Sequence, residues 1–480
     1  MYLGLDLGTS GLKGVLIDDA QNVVGQATAA LTVDRPHPGW SEQSPVHWLR
    51  AAEEVFDAIS FQHGLAKVRA IGLSGQMHGA TLLDAADDVL RPCILWNDTR
   101  SHAEAEELDA DPAFRQISGN IVFPGFTAPK LAWVRRHEPE IFHRVAKVLL
   151  PKDYLRLWLT GERVAEMSDA AGTSWLDTAG RCWSEPLLAA TGLGLEHMPR
   201  LVEGSDVSGI LRPEIAARWG LAETVVVAGG GGDNAASAIG MGTLGAGDAF
   251  LSLGTSGVLF AANDAYAPDA GSAVHTFCHA VPDTWHQMGV ILAATDALNW
   301  FARLCGTDAP NLTADLGSVR APGGAVFLPY LGGERTPHND AAVRGAFVGI
   351  EHLSDRNAMT RAVLEGVAFA FADCRDALAA TGTKLERAAA VGGGSLSRHW
   401  LQIVANATGL VLDVPVAGDF GGAFGAARLG MIASGHSIGE VVTAPPVAFS
   451  VQPEPDLKDA FADGHQRYKA ASAAIRRLAR

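Results

Sequence analysis

The chain of 480 residues is 48% hydrophobic and 19% charged, and its 37 basic against 53 acidic side chains leave a formal net charge of −16. That length exceeds one ordinary core and predicts two domains. The acidic balance excludes a broad nucleic-acid or anionic-membrane surface, although a nest of backbone N–H groups can still hold a phosphate locally.

In chain order, two short strands come first, Tyr2–Leu7 and Leu12–Ile17, joined by a glycine-bounded turn, with a third predicted from Val23 to Leu31. Ser44-Pro45 then reads as a helix start, because Leu49, Ala52, Val55, Phe56 and Ile59 recur at helical spacing. A strand from Val68 to Leu73 runs into Ser74-Gly-Gln-Met-His-Gly79. Residues 100–220 mix helices and loops around Trp133, Trp158, Trp175, Trp183 and Trp219, which marks packed structure. The strand-like Val225–Ala228 ends in four glycines, and Asp233 opens a helix. A helix from about Asp355 to Ala380 is apolar on most sides and belongs between layers; an amphipathic helix ends the sequence. Cys93, Cys182, Cys278, Cys305 and Cys374 are scattered without a CxxC pair. Buried free thiols in a reducing, cytoplasmic compartment are expected. No apolar run is long enough to span a bilayer.

One repeat organises the rest. Leu7-Gly-Thr-Ser-Gly11 returns as Leu253-Gly-Thr-Ser-Gly257, about half a chain later, each copy between two strand-like runs. This predicts two similarly built domains, residues 1–240 and 241–480, facing one another. Glycines at both ends let successive N–H groups point one way, and the Thr and Ser hydroxyls add donors. Two such turns suit a polyphosphate gripped from both sides, while either alone is equally an ordinary hairpin. A third glycine turn, Val391-Gly-Gly-Gly-Ser-Leu-Ser-Arg398, leaves bare backbone against which a flat base can lie. Gly421-Gly-Ala-Phe-Gly-Ala-Ala427 opens a further helix, for tight packing or for ligand contact. Asp233 is open to two readings as well: a helix N-cap, or a carboxylate that four glycines clear for an approaching substrate.

Asp6-Leu-Gly-Thr-Ser-Gly-Leu-Lys13, the second Gly-Thr-Ser-Gly and the Gly392–Ser395 turn resemble the two phosphate motifs and the adenosine motif of the actin-like ATPase superfamily. More narrowly they resemble the FGGY carbohydrate kinases, and Gly125-Phe-Thr-Ala-Pro-Lys-Leu-Ala-Trp-Val-Arg-Arg-His137 is similar to that family's first signature. The resemblance spans essentially the whole chain. It implies an α/β fold of two actin-like (ribonuclease H-like) ATPase domains, with mixed sheets flanked by helices and a cleft between them. The N-terminal domain would hold the sugar, the first phosphate loop and the catalytic aspartate; the C-terminal domain would hold the nucleotide.

Residue by residue, the resemblance makes Asp233 the general base and has Asn234 help hold the sugar. Asp6 would hold Mg²⁺, through water. Gly8, Thr9, Ser10, Lys13 and Thr255 would cradle the phosphates of ATP, and Gly393, Gly394 and Ser395 would line the nucleotide's other end. Met77-His78 resembles the sugar-contacting pair of bacterial xylulokinases, where glycerol kinases carry Arg-Glu. Arg35–Gln43, Leu149–Tyr154, Met167–Thr173 and Leu328–His338 are similar to the same branch; serine is usual there where Gly332 stands. The implied reaction is ATP-dependent conversion of D-xylulose to D-xylulose 5-phosphate, with small-molecule partners only and a homodimer as some relatives form. The competing readings are an FGGY kinase for ribulose, glycerol or another polyol, or an actin-like filament former or chaperone. The latter has no reason to keep Asp233 beside a Met-His loop. No GxxxxGK[ST] motif and no zinc-ligand cluster occurs.

Overall fold

The computed structural model describes residues 1–478 apart from Ala417 and Asp419. The first sheet is built from β1 (Tyr2–Leu7), β2 (Gly11–Ile17), β3 (Val23–Ala30), β4 (Ala70–Gly75), β5 (Val207–Ile210), β6 (Val226–Ala228) and the two-residue β7 (Gly231–Gly232). Its order is β3-β2-β1-β4-β6-β5, with β7 pairing β4. The second sheet uses β8 (Ala249–Leu253), β9 (Gly257–Asn263), β10 (His275–Cys278), β11 (Trp285–Ile291), β12 (Arg387–Val391), β13 (Val411–Pro415) and β14 (Val447–Val451). Its order is β10-β11-β9-β8-β12-β13-β14.

From β3 and from β11 respectively, the two sheets read alike: two antiparallel pairings, two parallel ones, then an antiparallel edge. The repeated pentapeptide is the hairpin turn β1–β2 in one and β8–β9 in the other. The repeat in sequence is therefore a repeat in topology.

Helix α1 (Pro45–His63) covers one face of the first sheet, where Val55 and Ile59 lie over Gly14. The α/β middle segment adds α2 (Thr127–His137) and α3 (Pro151–Thr160). Trp133, Trp175 and Trp219 are buried as expected. Two helices then leave the sheets at equivalent places: α4 (Asp233–Met241) follows β7, and α7 (Gly422–Ala433) follows β13. Between them in sequence, α5 (Arg356–Ala380) is buried over most of its length against the second sheet and α6 (Arg398–Thr408) follows the third glycine turn. The terminal α8 (Lys458–Leu478) turns Phe461 and Tyr468 inward.

Helix α7 does not cover its own sheet. It lies on the first one, where Ala423, Phe424, Ala427 and Met431 pack with Tyr2, Val15, Ile17 and Ala70. Three glycines make this possible by removing side chains between main chains. A Cβ on Gly4 would stand 1.8 Å from the Ala423 carbonyl oxygen, one on Gly72 1.7 Å from that of Ala426, and one on Gly425 1.7 Å from that of Ala236. The Gly421–Ala427 motif is thus a backbone-to-backbone packing device that also pins α7 to α4.

Not every expectation survives. Cys93, Cys278 and Cys374 are buried, but Cys182 is exposed and Cys305 half-buried, all five unpaired. Among the described residues, no helix is long and apolar enough to cross a membrane. Gly72→Ala should lower stability by about 3 kcal/mol or more, since the new methyl group meets main chain rather than a movable side chain. Thermal denaturation checks this, with Gly439→Ala, exposed and with open space at the same atom, as a milder control.

Candidate active site

The strand register decides which residues meet. In the parallel pair β1–β4, Asp6 stands beside Ser74 and Leu7 beside Gly75; in β4–β7, Ser74 stands beside Gly231 and Gly75 beside Gly232. Three neighbouring strands therefore end on one line. The turn Gly8–Ser10, the loop Gln76–Gly79 and the pair Asp233-Asn234 all leave from it.

The first turn is held from outside. Thr9 Oγ1 donates to Gln76 Oε1 (3.0 Å) and accepts from Trp96 Nε1 (2.9 Å), while the Thr9 carbonyl accepts from Gln43 Nε2 (2.7 Å). Ser10 is exposed, and Lys13 sits opposite Asp6 in the hairpin register. Asp6 Oδ1 accepts from Ser74 Oγ at 2.8 Å. A Cβ on Gly422 would lie 2.9 Å from Asp6 Oδ2, so the N-terminal turn of α7 comes up against this carboxylate, where its dipole favours negative charge.

On the second sheet, β8 and β12 run parallel, with Ser252 beside Val391. The second turn is anchored by Ala294 N donating to the Thr255 carbonyl (2.8 Å). Gly392, at φ +90°, lies against the Leu253 main chain, which seats the third turn on the second. Thr255 and Gly393 are exposed; Gly394 packs on the Leu253 side chain, and the buried Ser395 hydroxyl donates to the Gly392 carbonyl (2.7 Å).

In the loop after β4, Met77 is buried beside Gly232 and His78 adopts φ +68°. The His78 ring stacks on Phe126 (4.5 Å between centroids), and its Nδ1 lies 2.6 Å from the Gly172 carbonyl. A carbonyl only accepts, so Nδ1 carries the proton. Burial first, then the Lys130 cation, pulls the His78 pKa down to about 3. The ring is therefore neutral, and Nε2 presents a lone pair.

Asp233 is the first residue of α4, and the cap position belongs to Gly232, which offers no side chain. The N-cap reading of Asp233 is not realised. Its Oδ1 accepts from the Asn234 amide N–H (2.7 Å) and from Asn234 Nδ2 (2.9 Å). Burial, then the nearby Asp6 charge, pushes its pKa up to about 6, against the two hydrogen bonds. The four glycines also act differently from expectation. Gly229 packs on the Glu203 carbonyl, Gly230 (φ +81°) on that of Leu73, and Gly232 on Met77. They let main chain press against main chain, and this delivers Asp233 to the strand-end line.

Beneath that chain lies a fully buried ion cluster. Lys152 Nζ is 2.8 Å from Asp153, 3.2 Å from Glu166 and 3.0 Å from Asp169, and Arg156 reaches Asp153 at 3.2 Å. Burial holds Asp169 well above the usual carboxylate range, against the pull of the Lys152 ammonium beside it. Arg156 also donates to the Ala228 and Gly229 carbonyls, and Ser168 Oγ accepts from Gly232 N (3.0 Å). The cluster holds the glycine chain on both sides of its bend.

Two family models match the chain: the FGGY family of carbohydrate kinases, N-terminal domain, over residues 1–240, and its C-terminal domain over residues 249–434. The chain belongs to the FGGY family of carbohydrate kinases. It is 52% identical to the xylulose kinase of Escherichia coli (strain K12) over 437 residues, 90% of each chain. A solved "xyloylose kinase" from Brucella ovis superimposes with a TM-score of 0.98 at 60% identity, covering 99% of both chains. The xylulose kinase from Rhodospirillum rubrum gives 0.93 at 30% identity, covering 100% of this chain and 99% of that one. The actin-like two-domain fold of these kinases is the fold seen here, and the FGGY family's chemistry is phosphoryl transfer from ATP to a carbohydrate.

Sequence reasoning assigned no role to Gln43, Trp96, Phe126, Lys130 or the Lys152 cluster, although all but Trp96 fall inside or beside quoted motifs. A buried lysine announces itself only through the tertiary structure, because lysine is ordinarily solvated.

The raised Asp233 pKa has a sign for stability. Its stabilising contribution is complete below the unfolded carboxylate value and lost as pH rises through about 6. Asp233→Asn should therefore be more stable than the native chain at pH 8, by about 3 kcal/mol, and lose that advantage by pH 4. Thermal melts at the two pH values measure it.

Proposed function

We propose that this FGGY kinase transfers the γ-phosphoryl group of ATP to the terminal O5 hydroxyl of D-xylulose, giving D-xylulose 5-phosphate and ADP. The observation that carries this reading is the register of β4 and β7, which brings the Met77-His78 loop and Asp233-Asn234 out of adjacent strand ends. The 52% identity to a xylulose kinase supports the choice of sugar.

In the proposed mechanism the ketose lies over the Met77-His78 loop, with His78 Nε2 accepting a sugar hydroxyl. Asp233 accepts the O5 proton as O5 forms its bond to the γ-phosphorus and the bridging oxygen leaves with ADP. A base whose pKa lies near 6 is ionised at neutral pH and still basic enough to take that proton. Asn234 orients the Asp233 carboxylate through its Nδ2 bond. Thr9, Ser10, Lys13 and Thr255 line the phosphates, while Gly393 offers bare backbone to the nucleotide's far end and Gly394 and Ser395 shape that turn.

Mg²⁺ is proposed to sit at Asp6. Two carboxylates close enough for one to raise the other's pKa, facing a triphosphate, need a cation, and oxygen donors suit this hard ion. When bound it would neutralise phosphate charge. The five unpaired cysteines support a cytoplasmic location. A homodimer is carried over from the family as the expected solution state, to be read by light scattering; one chain supplies both halves of the site.

Asp233→Asn should retain ketose binding and lose at least ~10²-fold in kcat. ADP release across a panel of ketopentoses and polyols, with a sugar-free control, tests substrate and base together. Unchanged turnover removes Asp233 from the role, and preference for ribulose or glycerol replaces the sugar. In the native enzyme, kcat should fall as pH drops through about 6, the value at which Asp233 gains a proton.

A further inference from the structure

We infer that Lys130 is a positioning residue for the sugar: its ammonium ties the loop carrying His78 to the segment carrying Phe126, and so holds the imidazole where the ketose must meet it. The inference deepens the proposed function and rests on its reading of His78.

Lys130 is fully buried on α2, and among the described residues no carboxylate lies within ion-pair reach of it. Burial pulls its pKa down to about 7, and holding the ammonium there is costly unless its protons are taken up. Two carbonyls take them: Nζ donates to the His78 carbonyl at 2.8 Å and to the Gly125 carbonyl at 2.7 Å. These belong to different segments. Gly125 precedes Phe126, whose ring stacks on His78, so one side chain closes the main chains around a ring they share.

His78 needs such a hold. A non-glycine residue at φ +68° is strained and persists only where its surroundings over-determine it. The His78 carbonyl accepts from Lys130 and also from Thr127 Oγ1 at 3.2 Å, its ring Nδ1 donates to Gly172, and Phe126 covers one face. Of these contacts, that of Lys130 comes from a donor group that also bonds the neighbouring Gly125 carbonyl, and it is charge-assisted while Lys130 holds its proton. The clamp extends toward the phosphates as well. A Cβ on Gly125 would stand 2.3 Å from the Trp96 carbonyl oxygen, and the Trp96 indole donates to Thr9 in the first turn. A buried cation is thus spent on geometry around one histidine, where an apolar side chain would pack more cheaply.

The test uses the full chain and steady-state ADP release. Lys130→Met keeps the length and removes the donors; the Michaelis constant for D-xylulose should rise about tenfold, as expected for losing a charge-assisted hydrogen bond. The kcat, the Michaelis constant for ATP and the sugar-independent ATP hydrolysis should stay unchanged. Thr127→Val removes only the second donor to the same carbonyl and should raise the ketose constant about threefold; if Lys130→Met fails to fold, Lys130→Gln, which loses the ammonium, is measured in its place, and an unchanged ketose constant there overturns the clamp. An unchanged ketose constant in the folded variant, or equal losses toward ATP and sugar, would overturn the clamp. His78→Ala separates this from the site itself: a ketose constant unmoved by that change overturns the reading of His78 on which the clamp depends.

Discussion

The structure depends on one helix lying main chain to main chain on a sheet that is not its own. Helix α7 leaves the second sheet and presses on the first through Gly4 and Gly72, then on α4 through Gly425. Helix α4 makes the reciprocal exit, from the first sheet toward the second. Because carbonyl oxygens lie within 2 Å of where β-carbons would be, the main chains are already in contact and α7 can approach neither the sheet nor α4 more closely. The two halves therefore share one rigid joint, and what they carry at their strand ends is positioned relative to that joint. The N-terminal turn of α7 belongs to it, which is how a residue from the C-terminal half comes to lie beside Asp6.

The electrostatics follow from the same packing. Asp6 and Asp233 share a strand-end line because β1, β4 and β7 are in register, and their mutual repulsion adds to burial in making Asp233 more basic. Buried cations sit one layer below: Lys152 and Arg156 under the glycine chain, Lys130 under the His78 loop. None of these three ammonium or guanidinium groups is exposed. Each grips carbonyl oxygens or carboxylates of the segments above, so buried basic groups in this molecule tie down the main chain close to His78 and Asp233.

Much of this was legible in the sequence, for physical reasons that can be named. The hairpins and the repeat were visible because strand alternation and glycine turns are local, and β1, β2 and β3 appear within a residue or so of where the pattern puts them. The resemblance carried the candidate residues, and the structure gathers Asp6, Thr9, Met77, His78, Asp233 and Asn234 along one line of strand ends. What stayed hidden was non-local. A glycine shows its freedom in sequence but not which atom stands opposite, so the run at 229–232 looked like clearance and proved to be close packing. The destination of α7, the partners of Lys130 and Lys152, and the exposure of Cys182 depend on residues far away in the chain.

The identical strand order of the two sheets has one more consequence. Strand β4 in the first sheet and β12 in the second occupy the same address, and the segments that follow them, Gln76–Gly79 and Gly392–Ser397, are therefore architectural counterparts. In the proposed function one faces a sugar and the other a nucleotide. A scaffold with this internal pseudosymmetry can diversify by lengthening or rewriting a single loop at that address while the α4–α7 joint stays untouched. Ligand choice and mechanical integrity thereby become separately evolvable traits.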